Sequence, residues 1–329
     1  MRRRQFISLF GGAAAAWPLM AHAQQSGRVR RIGLLLPFGK NNSELQAAFD
    51  AFKQSLQGAG WIEDRGVRFE PRYTDGSAEQ NRIAAAELVA TAPDVIFAYG
   101  NPTVGALRQA TQMIPIVFIQ VSDPVGSGFV TDLAHPGANI TGFHNFETAI
   151  GGKWLELLKQ IAPEMRRTMV VYHPDVAANI AFFRAAETAS GSLGVKVTAA
   201  GLRSAAEIEP ALTTFAGEPN GGLIVAPYPL VIANRDRIIE LTARLRLPAI
   251  YSFSFFPAFG GLVSYAPNQI DQWRRAAAYV DRILRGISPG ELPLQLPTKY
   301  ELIINSKTAK ALGLEIPNKL FITADEVIE

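Results

Sequence analysis

The chain has no cysteine at any of its 329 positions. That excludes disulfides, thiolate metal sites, a cysteine nucleophile and a lipid-modified N-terminal cysteine. Phosphate-binding signatures are missing as well. There is no G-x-x-x-x-G-K-[ST] loop and no G-x-G-x-x-G following an apolar run. No G-x-S-x-G elbow is present, and no serine stands in a triad context. Beyond the N-terminal segment only His135, His144 and His173 remain, and they share no zinc-ligand spacing. No cofactor and no metal are therefore expected. Absence of motif does not by itself exclude an enzyme, so a hydrolase or isomerase stays as an alternative.

An excess of one charge is also lacking. The whole chain holds 32 basic and 29 acidic side chains, formally +3. Residues 1–23 contain three arginines and no acid, so the remainder carries 29 of each. Nothing in this balance points to nucleic acid or an anionic lipid surface.

Those first 23 residues have the three parts of a bacterial secretory signal. Arg2, Arg3 and Arg4 form a basic start, an apolar run continues through Leu19, and Ala21-His22-Ala23 is a peptidase site. A spanning helix needs about 20 predominantly apolar residues. The run from Phe6 to Met20 is shorter and is diluted by Ser8, Gly11, Gly12 and Pro18. The expectation is a cleaved signal and a periplasmic product without a membrane anchor. Arg3-Arg4-Gln5-Phe6-Ile7 also resembles a twin-arginine signal. Arg2 stands where such signals usually carry Ser or Thr, so the export route stays open.

After the leader one unit repeats: a short apolar run, a polar loop, then a helical pattern. The runs are 32–37, 95–100, 116–119, 169–172, 223–227 and 249–251. Runs apolar on both faces suit central strands of a parallel sheet covered by helices. Trp154, Leu157, Leu158 and Ile161 mark one amphipathic helix, and Ile270, Trp273, Ala277, Val280 and Leu284 another. Asn268 and Asp271 form an expected cap at the start of the second. Alternating strands and helices predict an α/β fold with right-handed crossovers. The series breaks near 139–150 and restarts at Thr168, which predicts two doubly wound parallel-sheet lobes. Residues 253–290 read as helical and as returning to the first lobe.

In open α/β sheets ligands bind beyond the carboxyl ends of the strands, beside helix N-termini. Five loops there supply candidate ligand-binding residues. They contain Phe38 and Asn42; Tyr99, Asn101 and Thr103; Ser122 and Asp123; Tyr172; and Tyr228. Asn145, Asn179 and Tyr251 complete the set. Each loop also reads as ordinary strand-to-helix punctuation. Tyr251, Phe253, Phe255, Phe256 and Phe259 crowd into nine residues, either as core or as an apolar ligand wall.

Several stretches resemble the ABC transporter substrate-binding proteins of the tryptophan/tyrosine-type group. They are Ile32–Pro37, Pro115–Phe118 with Ser122-Asp123-Pro124-Val125, Pro136–Gly142, Val171–Pro174 and Ala309–Leu314. The resemblance implies a type I periplasmic-binding-protein architecture. Its lobes would be 29–145 plus about 255–292, and 146–254 plus about 293–329. The three crossovers would fall near 143–148, 252–260 and 290–298. It also implies capture of a small organic ligand by hinge closure, and delivery to a permease and its ATPase by a monomeric carrier. An exported sensor subunit for a membrane receptor is the alternative. Amino-acid binders in the group carry acidic residues near the positions of Asn145 and Tyr228. Both are neutral here, which favours an aromatic or apolar carboxylate or a neutral analogue, with Asp123 as the acid nearest the cleft. The anionic end of such a ligand would meet helix N-termini near Ser43 or Thr103.

Overall fold

The computed structural model describes residues 28–40 and 43–329. The secretory-signal reading and the candidate Asn42 lie outside these residues. The first lobe is a parallel sheet of β1 (Arg30–Leu36), β2 (Val67–Tyr73), β3 (Val95–Tyr99), β4 (Ile116–Val121) and β5 (Ile140–His144). Its spatial order is β2-β1-β3-β4-β5. Helices α1 (Ser43–Gly58), α2 (Ala78–Ala90) and α3 (Asn101–Ala110) lie between the strands in sequence.

The apolar runs are continuous because both sheet faces are covered. In β1, Ile32, Leu34 and Leu36 turn to one face and pack with Phe52 of α1. Leu35 turns to the other and packs with Leu88 of α2 and Leu107 of α3. In β3, Val95, Phe97 and Tyr99 divide from Ile96 and Ala98 in the same way. A strand with alternate residues in two cores has no polar face to show, the signature of a doubly covered parallel sheet.

The second lobe holds β6 (Arg167–Tyr172), β7 (Lys196–Gly201), β8 (Gly221–Val225), β9 (Ala249–Tyr251), β10 (Val263–Pro267), β11 (Tyr300–Asn305) and β12 (Glu326–Ile328). The order is β12-β11-β10-β9-β8-β6-β7, and only β10 and β11 pair antiparallel. Its helices are α4 (Ile150–Ile161), α5 (Ala177–Leu193), α6 (Ile208–Ala216), α7 (Pro229–Ala233) and α8 (Arg235–Arg244). After α9 (Gln269–Leu284), α10 (Ser306–Leu312) and α11 (Asn318–Thr323) complete the chain's helices among the described residues. The α/β reading and all six apolar runs correspond to observed strands.

The lobe boundary near 255 needs correction. Residues 253–290 are not continuously helical. One 3-10 turn spans Phe256–Phe259, and β10 then pairs with β9 in the second sheet. Gly260-Gly261 and Pro267 bracket a short alternating strand, Val263-Ser264-Tyr265-Ala266, that helical periodicity does not describe. The chain therefore leaves the second lobe after Pro267. It enters α9 with the Asn268 side chain accepting from Asp271 N–H at 2.7 Å, the expected cap. The return crossing is also later than 292. Gln295 N–H donates to Gly142 O and Gln295 O accepts from His144 N–H, so the chain stays beside β5 through Gln295.

Helix α9 belongs to the first lobe by burial. Trp273 is fully enclosed, with ring centroids 4.5 Å from Phe97 and 6.0 Å from Phe52. Two further ties reach α1 and its exit turn. Trp61 Nε1 donates to Asp281 at 2.7 Å, and Arg285 Nη2 donates to Ala59 O at 2.8 Å.

In the second lobe α4 and α5 touch through glycine. A Cβ on Gly151 would lie 2.1 Å from Phe182 O, a backbone atom that has no side-chain freedom to retreat. Alanine would gain about 1 kcal/mol of helix propensity there, but the overlap forces the helices apart, and overpacking costs about 1–3 kcal/mol. Gly151→Ala is expected to lower stability in urea unfolding. A rise in stability would show that the two helices can separate freely.

Candidate functional site

The carboxyl ends of both sheets face one cavity of about 310 Å³. The first lobe contributes Phe38, Thr74, Asp75, Tyr99, Asn101, Gln120, Ser122 and Asn145. The second contributes Val176, Asn179, Pro227, Tyr228, Pro229, Ile232 and Phe253. Its rims approach closely: a Cβ at Gly76 would stand 3.8 Å from Pro229 Cβ. No lysine, arginine or histidine lines the space, and Asp75 is its one carboxylate among the described residues. Hydrogen bonds from Ser77 hold the Asp75 carboxyl below the usual range, so it is ionised near neutrality.

Each lobe supplies an aromatic surface. Phe38 stands edge-on to Tyr99 at 4.7 Å, and opposite them lie Tyr228 and Phe253. Two asparagines, Asn179 buried and Asn101 half-buried, brace the loops that carry these surfaces. Asn101 donates to Ser122 O at 2.8 Å and accepts from Ser122 N–H at 3.0 Å, clamping the loop after β4. Asn179 accepts from His173 N–H at 2.9 Å and donates to Pro227 O at 3.1 Å, joining the loops after β6 and β8. Their amides are spent on loop geometry, so they shape the cavity rather than offer free polar groups.

Among the described lining residues, two buried side-chain atoms have no partner. Asn145 Oδ1 and the Tyr228 hydroxyl are both buried, with 3% and 4% of their residues exposed. They come from opposite lobes. Burial pushes the Tyr228 phenol far above its ordinary pKa, so it remains a neutral donor and acceptor. Buried polar atoms without partners cost free energy, and a ligand seated between the lobes would satisfy both. Helices α3 and α5 also start at the cavity without a side-chain cap, leaving N-terminal N–H groups for an acceptor.

Residues 41–328 match the family described as ABC transporter substrate binding protein. The chain belongs to this family. A tyrosine-binding protein of Clostridioides difficile (strain R20291) is 25% identical over 293 residues, covering 86% of this chain and 82% of the relative. The structure of a conserved domain protein from Vibrio cholerae superposes with a TM-score of 0.84 at 25% identity, covering 91% of this chain and all of that one. A Streptococcus pneumoniae ABC domain in complex with L-Trp gives the same TM-score at 22% identity, over 92% and 100% of the two chains. The family and the tyrosine-binding relative are described as binding proteins rather than enzymes.

In this substrate-binding protein the expected site residues divide. Phe38, Tyr99, Asn101, Ser122, Asn145, Asn179 and Tyr228 line the cavity. Four described candidates do not. Thr103 is buried and donates to Tyr99 O at 2.8 Å, securing the start of α3. Asp123 turns its carboxylate onto Gly126 N–H at 2.9 Å, so Asp75, not Asp123, is the acid of the cleft. Tyr172 is half-buried and stacks on Phe183 at 5.7 Å, against the edge of the second lobe's core. Tyr251 is enclosed, stacked on Phe256 at 4.5 Å and bonded to Thr242. Of the crowded aromatics only Phe253 reaches the cavity, and the others are core or surface.

Several lining residues escaped the sequence reading. Asp75 follows β2, a strand whose Arg68, Glu70 and Arg72 hide it from an apolar-run search. Gln120 did leave a signal, as the one polar residue inside the apolar run of β4. Val176 and Ile232 left none, since their role depends on the opposite lobe.

His144, just behind the cleft, is a structural base. Its Nε2 accepts from Asp123 N–H at 3.0 Å, which places the proton on Nδ1, and Nδ1 has no partner. Burial lowers its pKa, and nearby Asp123 only partly opposes this. The folded state therefore resists protonation while the unfolded chain binds a proton near pH 6.5. Stability from the neutral ring is complete above pH 6.5 and is expected to fall progressively as pH drops below it. Urea unfolding at pH 8, 6.5 and 5 should show this loss. His144→Gln, which keeps an acceptor for Asp123 N–H, should flatten it; an unchanged slope would assign the effect elsewhere.

Proposed function

We propose that this protein is the exported ligand-capturing component of an ABC importer, taking up a small aromatic, amino-acid-like molecule. The carrying observation is the pair of unpartnered atoms, Asn145 Oδ1 and Tyr228 Oη, presented by opposite lobes between aromatic surfaces. A ligand touching both lobes binds the closed arrangement better than the open one, the condition for driving closure. About 310 Å³ is at the lower end for small-molecule pockets, which run from roughly 300 to 1,000 Å³, and suits a ligand of single-amino-acid size.

The charge pattern narrows the class. None of the described lining residues is cationic, so an isolated anion would rely on the helix N-termini of α3 and α5 to meet its charge. Asp75 supplies a negative charge for a ligand cation. A zwitterion with an apolar ring therefore fits better than a simple aromatic acid. The tyrosine-binding relative and the L-Trp complex support this class. The closed form would dock on a permease and release its cargo there. The leader at residues 1–23 supports export, and no described helix is long and apolar enough to cross a membrane.

The test is a thermal-shift and calorimetry panel of L-tyrosine, L-tryptophan, arabinose and ribose, with mass spectrometry of any co-purified ligand. At a hundredfold excess over Kd a ligand stabilises by about 2.7 kcal/mol. One or both aromatic amino acids should raise Tm and the sugars should not. Phe38→Ala should weaken binding about tenfold through lost ring contact, and Tyr228→Phe should weaken it through the lost hydroxyl. Stabilisation by a sugar and by neither amino acid overturns the reading.

A further inference from the structure

Strand β4 is buried throughout, and apolar at every position except Gln120. There its pairing with β5 shifts register between Phe118 and Val121. Gln120 adopts a φ of 54°, a left-handed conformation that costs free energy for a residue with a side chain. Such strain persists only where surrounding contacts hold it, and here they are a run of hydrogen-bonded amides.

Gln272, in the first turn of α9, donates from Nε2 to His144 O at 3.2 Å. Gln120 Nε2 donates to Gln272 Oε1 at 2.8 Å. Asn145 Nδ2 donates to Gln120 Oε1 at 2.9 Å. All three side chains are at least nine-tenths buried. The orientation of the series is dictated at its root. A backbone carbonyl can only accept, so Gln272 must turn its NH2 toward His144 and its oxygen toward Gln120. That oxygen demands the NH2 of Gln120, whose oxygen then demands the NH2 of Asn145. Reversing any amide would set oxygen against oxygen among buried side chains. What remains for the cavity is Asn145 Oδ1, buried and without a partner.

We propose that the Gln272–Gln120–Asn145 relay fixes Asn145 Oδ1 as the acceptor turned away from Gln120, which makes Asn145 a specificity-determining residue that selects ligands presenting an N–H donor. This rests on the ligand class proposed above, for which the donor is the amino group. An amide free to turn would accept either a donor or an acceptor. A locked one rejects a ligand lacking the donor, because the buried oxygen is then left unmatched. Gln120 and Gln272 are positioning residues: neither needs to touch the ligand to set which atom of Asn145 faces it.

The experiment uses the full chain and matched probes. L-tyrosine and L-tryptophan are compared by calorimetry with 3-(4-hydroxyphenyl)propionate and 3-(indol-3-yl)propionate, which lack only the amino group. The wild type should prefer the amine-bearing partner at least tenfold. Gln120→Met keeps bulk but cuts the relay, releasing Asn145 to turn its NH2 inward, and should bring the preference within threefold. Asn145→Leu should do the same. A role in stability alone would lower Tm without changing this ratio. Equal binding of both series by the wild type, or a ratio unchanged in either variant, overturns the proposal. If neither series binds, the aromatic amino-acid reading fails, and the relay is judged by nitrogen-labelled NMR of the side-chain amides. Slow exchange of the Gln120 and Gln272 NH2 protons upholds the locked acceptor; exchange at exposed-amide rates overturns it.

Discussion

The chain builds most of its second lobe and then comes back to finish the first, and Trp273 holds it there. Its ring fills the aromatic centre between Phe97 and Phe52. Truncating a buried tryptophan costs about 3–5 kcal/mol, which makes detachment of α9 a rare event. Because α9 cannot leave, the chain must cross between lobes after β5, after β10 and again after Gln295. The cavity, the opposed aromatic surfaces and the position of Gln272 all depend on that return.

The same return places polar chemistry where the sheets would otherwise be purely apolar. Gln272 enters the first lobe one turn into α9 and meets Gln120, which β4 presents only by breaking its own register. The packing that closes the first lobe's core thus also fixes an amide beside the cleft. The asparagines do similar work on each side. Asn101 and Asn179 spend their hydrogen-bonding capacity on loops, so the surfaces that face the ligand are held in shape before it arrives. Preformed loops reduce the ordering cost of binding.

Much of the fold was legible from residue pattern. Runs such as Ile32–Leu36 and Val95–Tyr99 are apolar at every position because each faces two cores, and no exposed strand could tolerate that. Asn268 capped α9 as its spacing with Asp271 required. The segment 255–267 was misread because Val263–Pro267 is too short to stand out beside the strong helical period that follows it. In the site, Phe38, Tyr99, Ser122 and Tyr228 were legible as loop residues at strand ends. Thr103 and Tyr251 were not separable from them, since a hydroxyl that bonds its own backbone or sits in a core looks the same in one dimension. Asp123 stands out in the sequence for its place in a family-like motif, whereas the turn at Gly126 draws its carboxylate away.

Sequence alone determined the α/β class, the two-lobed division, the balanced charge beyond residue 23 and the strand ends where a ligand could sit. These follow from periodicity and composition, which are local. Tertiary structure alone decided which lobe owns β10, which acid lines the cleft, and which way the Asn145 amide points. Each of those depends on atoms far apart in the chain. The direction of Asn145 is set by a carbonyl at His144 through Gln272, 128 positions away, and hydrogen-bond polarity cannot pass along that route until the chain has folded back.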